Sequence, residues 1–182
     1  MHSIHDDVKE VLASAEEISA IVKRLGKQLT EEYADSNPLI LCILKGAAPF
    51  AMDLIRAIDC PAEMDFLQVS SYGNGTTSQG FVFKKDADID LAGRDVIIVD
   101  DILDTGNTLM NLCELLSTRG TKSIRLCVMF DKKPRREAPI EADYVGMEVP
   151  DEFLIGYGLD YAEKYRNLPY VGILKPSVYA EK

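Results

Sequence analysis

The sequence predicts an α/β fold: a central, mostly parallel sheet flanked by helices, closed by a small irregular hood from the C-terminal part. Two observations predict the sheet and a third the hood. Mainly apolar runs of strand length recur at Leu39 to Leu44, Val96 to Val99 and Ser123 to Phe130. Runs without polar alternation belong to strands buried on both faces. Segments of helical periodicity separate these runs, and alternating strands and helices form a parallel sheet covered on both sides. After Asp131 the texture shifts to short strands interrupted by Pro and Gly, which suits a cap on the same domain. Residues 1–182 therefore read as a single domain, with no internal repeat, linker or low-complexity segment.

Taken in order, the first element is a helix. Ser14 and Glu17 have the spacing of a capping box, and Ile18, Ile21, Val22, Leu25 and Leu29 follow on one face. The helix should end near Tyr33, before the Asp35-Ser36-Asn37-Pro38 turn. Leu39 to Leu44 is the first buried strand, broken by Lys45-Gly46, and a helix follows from about Pro49 to Ile58. Met64 to Tyr72 and Gly80 to Phe83 read as strands around a polar segment whose Asn74-Gly75 pair suits a hairpin turn. Val96 to Val99 is the core of the next strand, Thr108 to Arg119 is helical, and Ser123 to Phe130 is the third buried strand.

Composition narrows the function. A formal net charge of -10 opposes broad binding to nucleic acid or an anionic membrane surface. It leaves room for a small anion, because a local cradle of amides and lysines can oppose the global field. Cys42, Cys60, Cys113 and Cys127 are widely spaced and form no C-x-x-C, as expected for a protein of the reducing cytoplasm. The N-terminal segment lacks the basic and apolar regions of a signal peptide, and no apolar run reaches membrane-span length. His2 and His5 have no cysteine or carboxylate cluster around them and receive no metal role.

In open parallel sheets, ligands bind beyond the carboxyl ends of the strands. Two places qualify, after Val99 and after Leu44. After Val99 the chain reads Asp100-Asp101-Ile102-Leu103-Asp104-Thr105-Gly106-Asn107-Thr108 and then enters a helix. A turn of small and hydroxyl residues at a helix start gathers several backbone N–H groups, and the helix dipole favours an anion there. The acidic pair before it would repel phosphate but can accept from sugar hydroxyls. Phosphate at one end and a diol at the other describe a phosphorylated ribose. Neither G-x-x-x-x-G-K-[ST] nor G-x-G-x-x-G is present.

The string from Val96 to Leu109 resembles the phosphoribosyl-diphosphate signature of type I phosphoribosyltransferases. The remaining segments resemble the bacterial hypoxanthine-guanine branch of that family over nearly the whole chain. The resemblance implies the type I phosphoribosyltransferase fold and a Mg²⁺-dependent transfer of 5-phosphoribosyl from phosphoribosyl diphosphate to a 6-oxopurine. It implies that Asp100 and Asp101 hold the ribose hydroxyls and share in binding Mg²⁺. Asp104 would lie beside N7 of the base as general acid or base, and the amides and hydroxyls of Asp104, Thr105, Gly106, Asn107 and Thr108 would take the 5-phosphate. Pyrimidine-operon attenuators share much of this signature but carry an aromatic residue at the Asp104 position, so Asp104 favours the purine enzymes.

Further along the chain, Leu44-Lys45-Gly46 resembles the loop whose amides receive pyrophosphate, often with the Leu-Lys peptide in a cis or strained form. Ser70-Ser71-Tyr72-Gly73 resembles the family's mobile loop, making Ser71 and Tyr72 part of a lid over the reacting centre. Lys132 matches the lysine that donates to the exocyclic oxygen of the purine, with Lys133 the neighbouring alternative. Lys133, Arg135 and Arg136 suit a solvated basic turn. The stretch Val149 to Tyr161 is a second match: Phe153 would stack on the purine, the Leu154 backbone would bond its edge, and Asp160 would bind Mg²⁺ directly or through water. Arg166 would reach the pyrophosphate. The expected partners are these small molecules and other copies of the chain, in a homodimer or homotetramer, with no nucleic acid and no membrane.

Overall fold

The structure, a computed structural model, describes residues 3–71 and 81–180. The main sheet has six strands. They are β2 (Leu39–Ile43), β3 (Glu63–Ser71), β4 (Phe81–Lys85), β5 (Asp95–Leu103), β6 (Ser123–Asp131) and β7 (Tyr144–Glu148), in the order β4-β3-β2-β5-β6-β7. All neighbours run parallel except β3 and β4, which pair antiparallel as the hairpin reading requires. The predicted turn at Asn74-Gly75 and the lid residue Tyr72 lie outside the described residues. Ser71 closes β3.

Helices α1 (Ala15–Glu32) and α2 (Ala48–Ala57) cover one face and α3 (Asn107–Ser117) the other. The period of two along β2 divides the core. Ile40 and Cys42 face α1 and α2, where Leu25, Leu29, Phe50 and Leu54 meet them. Leu39, Leu41 and Ile43 face Leu109, Leu112 and Leu116 of α3. The capping box of α1 is formed: Glu17 N–H donates to Ser14 Oγ, and Ser14 N–H donates to the Glu17 carboxylate.

Two departures from the sequence reading affect the site. β5 runs past Val99 to Leu103 because β6 continues beside it, with Ile102 opposite Phe130 and Leu103 opposite Asp131. Asp100 and Asp101 therefore stand on regular strand, not in the turn. The second departure is β1 (Val8–Ala13), a strand that periodicity does not reveal. It pairs with β9 (Val171–Leu174) through two irregularities of register and is largely exposed, so no alternation survives in its sequence. β1, β9 and β8 (Leu154–Ile155) form the small antiparallel sheet of the hood, and a short helix α4 (Pro176–Tyr179) follows. Among the described residues no helix is long and apolar enough to cross a membrane.

Candidate active site

The carboxyl ends of β2, β5 and β6 and the loops of the hood converge on one region. At its centre, Asp100 and Asp101 are adjacent, partly buried carboxylates. Burial first, and then the charge of Asp101, pushes Asp100 well above the usual carboxylate range. Burial also raises Asp101, although hydrogen bonds to its carboxylate and the nearby Arg166 guanidinium oppose the rise. Such a pair is stabilised by whatever brings positive charge or hydroxyl donors to it. Its hard oxygens fit a Mg²⁺ ion. Among the described residues no set of three metal-ligating side chains is gathered in one place. A Mg²⁺ held by one or two carboxylates, with substrate oxygens and water completing its shell, matches that sparse provision.

Beyond the pair lies the turn into α3, and its backbone has one orientation. Leu103 O accepts from Lys132 N at 2.9 Å and from Arg136 Nη2 at 3.3 Å. Asp104 O accepts from Arg136 Nε at 3.1 Å. Thr105 O accepts from Glu137 N at 2.9 Å and Ala138 N at 3.0 Å. Three successive carbonyls are thus taken by the segment 132–138. In a trans peptide the N–H points opposite to the C=O, so the amides that follow these carbonyls face the other way. Gly106, at φ 85°, makes the corner and begins α3 with no side chain capping it. The left-handed φ is one that glycine adopts without steric cost. An uncapped helix start beside outward amides is a ready anion site. The Asn107 side chain is turned aside to Glu137, at 2.9 Å, so it offers the cradle its backbone.

Arg136 is therefore not the solvated residue that the basic run suggests. Its guanidinium is 11% exposed and paired with Asp131, itself 1% exposed, and it also donates to Ile140 O at 3.0 Å. Sequence reasoning missed it because Lys133, Arg135 and Arg136 are indistinguishable in a basic string. The signal that separates them is Asp131 at the buried end of β6, which demands a cation.

The same segment separates the two lysines. Lys132 is 7% exposed and donates to Glu152 O at 2.9 Å, while Lys133 points outward to pair with Glu148. Lys132 lines a cleft of about 370 Å³ together with Ile102, Asp104, Phe153, Leu154 and Asp160. One carboxylate oxygen of Asp104 is buried without a hydrogen bond, with Arg135 Nε 3.4 Å away. Phe153 is 39% exposed, so it is not a core aromatic and offers ring surface to the cleft.

In the loop beside Asp101, the Leu44–Lys45 peptide is cis. Gly46 allows a close approach: a Cβ there would lie 1.7 Å from Asp101 Oδ2. Lys45 Nζ pairs with Glu163 Oε2 at 2.9 Å. The hood loop supplying Glu163 also carries Asp160 and Arg166, whose Nη2 and Oδ1 atoms are 2.8 Å apart. Arg166 Nη1 donates to Gly158 O at 2.8 Å, and its Nε is buried without a partner. An unpaired guanidinium N–H beside Lys45 suits an incoming anion. Asp160 Oδ2 accepts from Glu163 N at 2.9 Å, so both its oxygens are engaged within the loop, each retaining a further lone pair.

This loop is strained. Tyr157, Ala162, Glu163 and Tyr165 all have positive φ, between 46° and 74°, and each such non-glycine residue costs about 1–2 kcal/mol. Side-chain bonds oppose the strain: Tyr157 donates to Asp53 Oδ2 of α2, and Tyr165 to Asp7 Oδ2, each at 2.8 Å.

Comparison with known proteins bears on this geometry. The Phosphoribosyl transferase domain family matches residues 9–162. A hypoxanthine-guanine phosphoribosyltransferase of Bacillus subtilis is 56% identical, over 95% of this chain and 97% of that protein. The bifunctional protein TilS/HprT of Listeria innocua is 53% identical over 98% of this chain, and this chain spans 28% of its length. A crystal structure of a hypoxanthine phosphoribosyltransferase from Staphylococcus aureus superposes with a TM-score of 0.93 at 49% identity, covering 98% of each chain.

Proposed function

The chain belongs to the phosphoribosyltransferase family, and from that premise we propose that it catalyses purine salvage by moving 5-phosphoribosyl from phosphoribosyl diphosphate to N9 of hypoxanthine or guanine. The products are IMP or GMP and pyrophosphate. One observation carries the choice of a purine: Lys132, Asp104 and Phe153 share a cleft directly beside the turn whose amides face outward.

In this mechanism Asp100 and Asp101 accept from the ribose hydroxyls while the amides and hydroxyls of Asp104 to Thr108 hold the 5-phosphate. Lys45, Gly46 and Arg166 receive the diphosphate. Mg²⁺, bound at the Asp100–Asp101 pair and at Asp160 (there directly or through water) and not by three side chains at one point, would neutralise charge on the departing group. Phe153 stacks on the base and the Leu154 backbone meets its edge. Lys132 donates to the 6-oxo group. An amino group at that carbon cannot accept this bond, so adenine is rejected. The C1′–O bond to diphosphate breaks and the C1′–N9 bond forms through a transition state with oxocarbenium character. Asp104 handles the purine proton at N7. By family likeness, Ser71 and Tyr72 would have the role of keeping water from the reactive sugar. Most of the acceleration comes from positioning and fixed electrostatics. The enzyme works in the cytoplasm, as a homodimer or homotetramer.

The test is a pyrophosphate-release assay with Mg²⁺, phosphoribosyl diphosphate and hypoxanthine, guanine, xanthine or adenine. Release with the 6-oxopurines and not adenine is expected. No release with any purine would overturn the proposal.

A further inference from the structure

The last described turn of the chain returns to the cleft. Leu174 N donates to Phe153 O at 2.8 Å, fixing β9 beside the strand that follows Phe153. Lys175 is then tied down twice, its backbone N–H to Asp7 O at 2.8 Å and its Nζ to Asp6 O at 2.6 Å. From this anchor, Pro176 starts α4, and α4 carries Tyr179 back onto Phe153. The two rings are stacked, with centroids 5.3 Å apart and planes 27° apart. Tyr161 meets Phe153 edge-on, at 5.4 Å and 86°. Tyr179 itself lines the cleft that holds Asp104 and Lys132.

Resting on the function proposed above, we propose that Tyr179 is a positioning residue for the purine, stacking on one face of Phe153 so that the other face meets the base. With both tyrosines in place Phe153 still exposes 39% of its surface, which leaves ring surface open to the cleft. A phenyl ring on a cleft wall without such a brace would sample several rotamers, and ordering it on binding would weaken affinity. Offset stacking and edge-to-face contact are the two favoured arrangements of aromatic pairs. Tyr179 and Tyr161 supply one of each. The chain thus fixes the orientation of its stacking residue from its own C-terminal turn, some distance in sequence from every other group facing the purine.

The experiment is steady-state kinetics of wild type, Tyr179→Ala, Tyr179→Leu and Tyr179→Phe, varying hypoxanthine or guanine at saturating phosphoribosyl diphosphate, then the reverse, with Tm measured for each. The alanine and leucine variants are expected to raise purine KM roughly 3- to 10-fold, the range an aromatic pair contributes. Their kcat and KM for phosphoribosyl diphosphate should stay within about twofold of wild type, the spread expected when the change is confined to ground-state purine binding. Tyr179→Phe should match wild type. Leucine fills most of the volume without a flat face, so it separates loss of stacking from loss of folding. An unchanged purine KM in both the alanine and leucine variants overturns the brace. A lowered one also overturns it, since Tyr179 would then cover the purine face. A parallel rise in both KM values points to a loosened hood and overturns it too. A wild type that releases no pyrophosphate would instead remove the function on which the brace rests.

Discussion

The turn at 103–108 and the hood loop at 156–166 both contribute to the same cleft but are held in different ways. The turn has near-regular backbone, with glycine at its one left-handed corner. Its shape is fixed from behind, by a segment that takes three successive carbonyls. The loop has irregular backbone, with four non-glycine residues at positive φ; it closes on itself through backbone bonds such as Gly158 N–H to Arg166 O and the Tyr161–Lys164 pair, and hydroxyls and ion pairs pin it to its surroundings. A rigid cradle suits a group that stays put, which on the proposed function is the 5-phosphate. A strained, side-chain-pinned loop suits the end where a diphosphate arrives and departs.

Substitutions can break this comparison. The largest expected effect is chemical: Asp104→Asn should bind phosphoribosyl diphosphate normally yet lose roughly 10²- to 10⁴-fold in kcat. Normal turnover would remove Asp104 from the reaction. Next, Arg136→Ala leaves Asp131 buried without a partner and should destabilise the fold by about 3–5 kcal/mol, read as a lowered urea midpoint. It should also raise KM for phosphoribosyl diphosphate, because the carbonyls it holds are freed. The neighbouring Lys133→Ala should change neither, and equal effects of the two would mean that the turn is not braced from behind. Lys132→Ala should raise purine KM about 10- to 100-fold, the worth of a hydrogen bond from a charged donor, and leave diphosphate binding nearly intact. A rise confined to Lys133→Ala would transfer the purine contact to that lysine. The smallest effect belongs to the hood. Tyr157→Phe removes one bond to α2 and should lower stability by about 0.5–1.5 kcal/mol, with a few-fold rise in KM for phosphoribosyl diphosphate and none for the purine. An unchanged phosphoribosyl diphosphate KM would show that the loop holds its shape without that pin.

The contrast also explains what could be read before folding. The turn is legible because its chemistry is consecutive: a buried strand, two acids, then small residues entering a helix. Even there, the strand continues through Asp100 and Asp101, since whether a strand stops depends on a neighbour far along the chain. Arg136 was illegible because its role depends on Asp131 and on carbonyls some thirty residues away. The hood was legible as a cap from the change of texture after Asp131, and the roles of its residues only through family likeness. Nothing in Tyr157, Ala162, Glu163 or Tyr165 announces a left-handed backbone, a conformation imposed by tertiary contacts against local preference. β1 escaped notice because an exposed, twice-irregular strand carries no period. Tyr179 lies at a distance from every other cleft residue that no spacing rule spans.

The segment 132–138 also sets a distance. It holds the turn by that turn's own carbonyls and, at its first residue, extends Lys132 into the cleft shared with Asp104 and Phe153. With Lys132 on the base and the turn on the phosphate, as proposed, one continuous piece carries both recognition points and acts as a gauge. On the proposed function, the span it offers is that of a base and a phosphate separated by a single ribose. A free base or a bare sugar phosphate fills only part of that span, and the product nucleotide fills all of it. Length, as much as chemistry, then decides which molecules this protein holds.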